Sequence, residues 1–138
     1  MTKELWLNLP VKDVQRSKQF FTSIGFALNP RFGDSNEAAS LLVGEKSIVV
    51  MLVPEATFRG YTNHEVADTK LGSEVLISID AESRDAVDEL LDKVEAAGGT
   101  IYGRPSDRTG WMYGAGFVDL DGHRWNVLYM DMSQMPQG

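Results

Sequence analysis

Residues 4–9 read Glu-Leu-Trp-Leu-Asn-Leu, and residues 74–79 read Glu-Val-Leu-Ile-Ser-Ile. Both stretches are short and apolar, as β-strands are, and each is followed by an amphipathic segment that ends at glycine. Asp13 is placed to cap the first of these segments as a helix, and Ser83 opens the second. The pattern predicts a strand–helix unit that occurs twice in the chain.

Three further strands are predicted after each helix, which gives the order βαβββ twice. They span residues 26–32, 38–43 and 47–53 in the first half, and residues 100–104, 113–119 and 123–130 in the second. The expected fold class is α+β, with two βαβββ modules in a single domain over residues 1–138. Module one covers about 3–53, a connector covers 54–72, and module two covers about 73–131. Each module is too small to fold alone, so the two are expected to share a core.

The connector of residues 54–72 is long and polar, and it contains Phe58, Tyr61 and His64. A segment of this length inside a compact domain is either a disordered linker or a functional flap. The three ring side chains favour the flap.

Composition excludes several kinds of chemistry. The chain has 138 residues and no cysteine, so disulfides, thiolate metal sites and cysteine nucleophiles are excluded. Its two histidines exclude a three-histidine metal site within one chain. A net charge of −7 argues against nucleic acid and anionic membrane surfaces as partners. The N-terminus meets charge and proline within ten residues, which is unlike a signal peptide and leads us to expect a cytoplasmic protein.

Two stretches of the chain resemble a known superfamily. The run Leu9-Pro-Val-Lys-Asp-Val14, followed by Ile24-Gly-Phe26, is similar to the opening signature of the vicinal oxygen chelate proteins. These include glyoxalases, bleomycin-resistance proteins and extradiol dioxygenases. Residues 116–125, Gly-Phe-Val-Asp-Leu-Asp-Gly-His-Arg-Trp, resemble their last turn and strand. The closest similarity, through residues 112–114 and 127–131, is to the "predicted lactoylglutathione lyase" type. The resemblance implies a cupped mixed sheet with helices outside, a ligand pocket inside, and a homodimer.

Metal-dependent members of this superfamily place one ligand on each of four strands, to hold a divalent cation. The resemblance puts Trp6, Met51, Glu74 and Asn126 at those four positions. Only Glu74 is a strong ligand, and Asn126 offers a weak carbonyl donor, so these are the only conceivable metal ligands. Hard cations need several charged or strongly dipolar oxygens, so no cofactor is expected. A divalent metal completed by substrate, by water or by a second chain remains the alternative.

The resemblance also implies which side chains line the pocket. The expected ligand-binding residues are Trp6, Asn8, Met51, Trp111, Tyr113 and Asn126, with Glu74 as a candidate general base. Four of them have a plainer interpretation: Trp6 and Met51 as core, Trp111 as a cap on the core edge, and Glu74 as an exposed or arginine-paired carboxylate. The loop of residues 104–114 adds Arg104 and Arg108, either of which could pair with a ligand carboxylate.

Three hypotheses for function follow. The first is a metal-independent module that binds or sequesters a small molecule, aromatic or cationic in part. The second is a lyase or extradiol dioxygenase that uses Glu74 as base or ligand. The third is an accessory protein whose pocket has lost its function. His64 and His123 are expected to be solvated, and their spacing does not support a shared metal site with Glu74.

Overall fold

The computed structural model describes residues 1–30, 38–107 and 109–134. The chain forms two compact units, residues 1–72 and 73–138, which we call unit 1 and unit 2. None of the helices in the described part of the chain has the length and apolar character that a bilayer crossing needs.

The described residues of unit 1 form a four-stranded mixed sheet with two α-helices. In chain order its elements are β1 (Trp6–Val11), α1 (Val14–Ser23), β2 (Ala27–Leu28), β3 (Ala39–Val43), β4 (Ile48–Pro54) and α2 (Glu55–Thr62). The strand order across the sheet is β1-β4-β3-β2, in which β1 and β4 are parallel and the other neighbours are antiparallel.

Unit 2 repeats this arrangement. Its elements are β5 (Leu76–Asp80), α3 (Arg84–Ala96), β6 (Thr100–Asp107), β7 (Met112–Val118) and β8 (Arg124–Met130), followed by a short 3-10 turn at Met132–Gln134. The strand order is β5-β8-β7-β6, with β5 and β8 parallel. The predicted α+β class and the doubled βαβββ order are confirmed.

Helices α1 and α3 each begin after a residue whose side chain caps the first turn. The side chain of Asp13 accepts a hydrogen bond from the backbone N–H of Arg16 at 3.1 Å, and Ser83 Oγ accepts one from Ala86 at 3.0 Å. Each cap satisfies an N–H group that the first turn of a helix leaves without a partner. Gly25 follows α1 with a φ of +107°, a backbone conformation that favours glycine.

Each sheet has one face covered by a helix of its own unit. In unit 1, Phe20 and Phe21 of α1 are buried, as are Leu41 and Leu52 of the sheet. In unit 2, the residues buried between α3 and the sheet are Val87, Leu91, Val94, Phe117 and Trp125, and the last two rings are stacked with centroids 6.0 Å apart. We call this the helix face of each sheet, and the opposite side the far face.

The structure corrects the prediction in three places. The connector is not a disordered linker over residues 55–62, because α2 occupies them; the functional flap stays a prediction. This helix lacks a side-chain cap hydrogen bond, so the usual signal for a helix start is missing. It also contains Gly60, a residue that disfavours the interior of a helix. The strand expected at 26–32 is confined to Ala27–Leu28, and its last two residues lie outside the described part of the chain. The strand expected to end at Arg104 continues to Asp107.

Candidate functional site

The far face of unit 1 brings three predicted residues together. Asn8 pairs in register with Met51, and Met51 pairs with Ser40, so the three side chains form one row across β1, β4 and β3. Trp6 lies two residues before Asn8 on the same face, and 56% of its surface is exposed. A groove of about 540 Å³ is bordered by Trp6 and Asn8 together with Lys3 and Glu4. This row offers hydrogen-bonding, thioether and aromatic groups.

A buried polar pair extends the same row. The side-chain amide of Asn29 donates to Ser40 Oγ at 3.1 Å, and the backbone N–H of Asn29 donates to the carbonyl of Ser40 at 2.8 Å. Both residues are buried. Sequence reasoning missed this pair, although an asparagine and a serine beside apolar strands were visible signals.

The far face of unit 2 carries Asn126, as strand alternation demands. Trp125 and Val127 are fully buried on the helix face, so Asn126 points to the other side. It pairs in register with Ser78 on β5 and Gly116 on β7. Its amide nitrogen donates to Ser78 Oγ at 3.4 Å.

A tyrosine and an arginine lie beside this row, and sequence reasoning missed both. The ring of Tyr102 covers Gly116, where an added Cβ would overlap the ring. The Tyr102 hydroxyl donates to the carbonyl of Trp125 at 3.4 Å. The guanidinium carbon of Arg124 lies 4.6 Å from the centroid of the Tyr102 ring. The available signal was the alternation that puts Arg124 and Asn126 on one face.

Tyr113 lies on the helix face, opposite Asn126, because it shares the alternation of Ala115 and Phe117. Its hydroxyl donates to Asp88 at 2.7 Å. This hydrogen bond is the main reason that the pKa of Tyr113 lies above its usual value. The structure therefore does not bring Tyr113 together with Asn126.

The loop before β7 also departs from expectation. Arg104 donates to both carboxylate oxygens of Glu95 on α3, at 3.0 and 3.1 Å. This pairing lowers the pKa of Glu95 and gives Arg104 a partner within the protein; its role toward a ligand stays a prediction. Arg108 lies outside the described residues. Trp111 is half-buried, and its backbone carbonyl accepts a hydrogen bond from Asp131 at 2.7 Å.

Glu74 is exposed and lies two residues before β5 begins. The Glu74 carboxylate is not buried, although burial would suit a general base. Because it lies outside β5, it has no partner in strand register among the far-face residues. His64 is exposed after α2, and His123 is half-buried in the turn before β8.

That turn is organised by a buried carboxylate. Asp119 accepts hydrogen bonds from the backbone N–H groups of Asp121 and His123, both at 3.0 Å, and from the indole of Trp125 at 3.1 Å. Burial raises the pKa of Asp119, an effect that nearby His123 and the three donors partly offset. The Asp119 side chain thus stabilises the turn, which accounts for the sequence pattern at residues 119–125.

The donor sets do not fit a resident divalent cation. Within the described residues, no three His, Asp or Glu side chains lie close enough to hold one metal ion. The row of unit 1 offers an amide, a thioether and a hydroxyl, and that of unit 2 offers an amide and a hydroxyl. Hard cations prefer carboxylates, and borderline cations prefer imidazole or thiolate.

Comparison with known proteins gives the family. The model of the Glyoxalase/Bleomycin resistance protein/Dioxygenase superfamily matches residues 5–127. The protein belongs to this superfamily, and the resemblance drawn from the sequence is confirmed. A search of curated proteins found no match.

Three solved structures illustrate the similarity. A hypothetical protein from S. aureus is 32% identical, with 94% of each chain covered and a TM-score of 0.82. A glyoxalase/bleomycin resistance protein/dioxygenase family enzyme from Burkholderia phytofirmans is 18% identical, covers 91% of this chain and 96% of its own, and has a TM-score of 0.75. A fosfomycin resistance protein from Listeria monocytogenes is 15% identical, with 96% and 97% covered and a TM-score of 0.66. The last two show the fold alone.

Proposed function

We propose that this protein binds a small organic molecule through the far faces of its sheets, without a resident metal ion. The observation that carries the proposal is the row of Asn8, Met51 and Ser40, which is in register and holds no carboxylate or imidazole. Neutral hydrogen-bonding groups beside aromatic surface are typical of ligand sites. They are a poor set for holding a cation.

Each of these groups has a chemical use on its own sheet. On unit 1, the Trp6 ring supplies apolar surface on which a flat molecule stacks, and Met51 adapts to its shape. Asn8 on unit 1 and Asn126 on unit 2 each orient a molecule bound to their own far face, because an amide both donates and accepts hydrogen bonds. One structural neighbour is named a fosfomycin resistance protein, which is in keeping with a role toward a small molecule.

The alternative is a metal-assisted lyase or an extradiol dioxygenase-like enzyme with Glu74 as base or ligand. No contact of Glu74 among the described residues favours it. Elemental analysis of protein purified without chelator separates the two functions. We expect no stoichiometric nickel, zinc, iron or manganese, and about one transition metal per chain would overturn the proposal.

Ligand binding is tested by thermal-shift screening of small aromatic compounds, followed by titration of any hit. Asn126→Ala removes one hydrogen bond and is expected to weaken a hit about 3- to 10-fold, the equivalent of a typical single hydrogen bond. Gln19→Ala is the matched control, because it removes an amide from the exposed side of α1. Equal affinity of both variants would remove Asn126 from the site.

We further propose a cytoplasmic homodimer without nucleic acid or membrane partners. The net charge of −7 supports the last point, because it opposes phosphate backbones and anionic lipids. Sedimentation equilibrium is expected to give twice the chain mass of 15.3 kDa. A single-chain mass at micromolar concentration would contradict the dimer.

A further inference from the structure

The far face of unit 2 carries a cation that lacks a carboxylate partner among the described residues. The other arginines described in this unit are paired, Arg84 with Asp107 and Arg104 with Glu95. Arg124 makes no such ion pair within the described residues, and its neighbour is the Tyr102 ring at 4.6 Å. A chain of net charge −7 supplies carboxylates in excess, so an arginine left without one is notable.

Arg124 is held in place before any ligand arrives. Its guanidinium lies over the Tyr102 ring, and that ring is itself seated on Gly116. A guanidinium stacked on an aromatic face keeps N–H groups at its edge for a planar anion. Because the side chain is already ordered, a ligand that pairs with it loses less of its binding energy to entropy.

The neighbours of Arg124 define the rest of the ligand. Leu76 lies beside it in register on β5 and is 54% exposed, which provides apolar surface. Asn126 lies two residues further along β8 on the same face, which separates the Cα atoms of the two residues by about 7 Å. The complementary molecule therefore has an anionic head, an apolar body and a second polar group near the far end.

We propose that Arg124, stacked on Tyr102, binds the carboxylate of a small organic acid on the far face of unit 2. The apolar body of the acid lies against Leu76, and its second polar group reaches Asn126. This inference rests on the proposed function and names its ligand class as an organic anion. It replaces the partly cationic ligand expected from the sequence.

The test compares three para-substituted phenols of similar size and different charge: 4-hydroxybenzoate, 4-hydroxybenzamide and 4-hydroxybenzylamine. We expect calorimetric titration to show that 4-hydroxybenzoate binds the wild-type chain at least tenfold more tightly than either analogue. Arg124→Met keeps the stem but removes the charge, and is expected to bring the benzoate-to-benzamide ratio to within twofold of one. Arg124→Lys restores charge without the stacked plane, and should recover part of the preference.

Arg104→Met is the matched control, because it removes a cation from the helix face of the same unit and should leave the preference intact. Circular dichroism of each variant confirms folding, and shifts of the Arg124 Nε–H and Tyr102 ring signals in the wild-type protein report the site without mutation. An unchanged preference in Arg124→Met, or equal binding of all three probes, overturns the anion site while the proposed function stands. If none of the probes binds, the anion site is overturned, and the wider aromatic screen decides the proposed function.

Discussion

Asp119 shows how one buried side chain determines a local structure. Its carboxylate accepts hydrogen bonds from three N–H groups and lies where the chain turns from β7 into β8. A carboxylate accepts at both oxygens, whereas an asparagine side chain has one acceptor and one donor. The position therefore requires a residue that only accepts hydrogen bonds.

Asp119→Asn is expected to lower the free energy of unfolding by about 1–3 kcal/mol. In one orientation of the new side chain, its NH2 group faces the indole N–H of Trp125; in the other, it faces the two backbone N–H groups. Either way, donors face donors and hydrogen bonds are lost. Glu89→Gln, an exposed isosteric change on α3, is the control and should stay within about 0.5 kcal/mol. Urea denaturation measures both. Equal stability of the two variants would show that Asp119 does not organise the turn.

Asp107 gives a prediction about pH. Hydrogen bonds from Arg84 and from the backbone N–H of Gly110 hold the pKa of Asp107 below its ordinary value. The unfolded chain then binds more protons in the window between the two pKa values, so stability rises with pH there. The contribution is complete above the unfolded pKa and is lost as pH falls through the folded pKa.

Arg84→Met is expected to raise the titration midpoint of the Asp107 carboxyl toward its ordinary value, as measured by carbon NMR. Arg104→Met serves as the reciprocal control, since it should raise the midpoint of Glu95, whose pKa Arg104 lowers, and leave that of Asp107 unchanged. A midpoint for Asp107 that stays the same in Arg84→Met would contradict the assignment.

Among the elements, those with strong local signals were predictable. Helices α1 and α3 agree with the sequence prediction, because a capping side chain and a following glycine mark their ends. Helix α2 was not predicted, because it starts at the end of a strand with no side-chain cap. Strand ends moved by up to three residues where pairing with a neighbour extends a strand beyond its apolar run, as β6 does to Asp107.

The cap of α3 provides a test at this scale. Ser83→Ala removes the acceptor for the backbone N–H of Ala86 and is expected to cost about 0.5–2 kcal/mol of stability. Ser83→Asp retains an acceptor and should restore most of that loss, with the helix N-terminus favouring its negative charge. Thermal unfolding measures both variants. A Ser83→Asp protein no more stable than Ser83→Ala would show that this cap does not contribute.

Over the whole molecule, the sequence predicted which strands exist but only part of the candidate site. Alternation placed Asn126 correctly on the far face of unit 2, because its neighbours are plainly apolar. It could not place Tyr113 or Arg104, whose partners Asp88 and Glu95 come from a helix packed on the other face. Such contacts depend on tertiary packing, and the spacing of residues within a strand does not predict them. Roles toward a ligand remain predictions for all seven residues proposed from the sequence: Trp6, Asn8, Met51, Glu74, Trp111, Tyr113 and Asn126.

The two units provide the test at the largest scale. Leu41→Ala in unit 1 and Leu91→Ala in unit 2 each empty a buried site, and each is expected to cost about 2–5 kcal/mol. Because each leucine packs within its own unit, hydrogen exchange should rise most in the unit that carries the substitution. Equal increases in both units would contradict this and favour the shared core predicted from the sequence.

The common strand order of the two units makes each unit an internal comparison for the other. Aligning residues 4–9 with 74–79 makes Trp6 the counterpart of Leu76; Trp6 pairs in register with Val49, and Leu76 pairs in register with Arg124. At this shared position, unit 1 places an aromatic ring beside an aliphatic side chain, and unit 2 places a leucine beside a cation. The same place in the strand order thus supports two different surface chemistries within one chain.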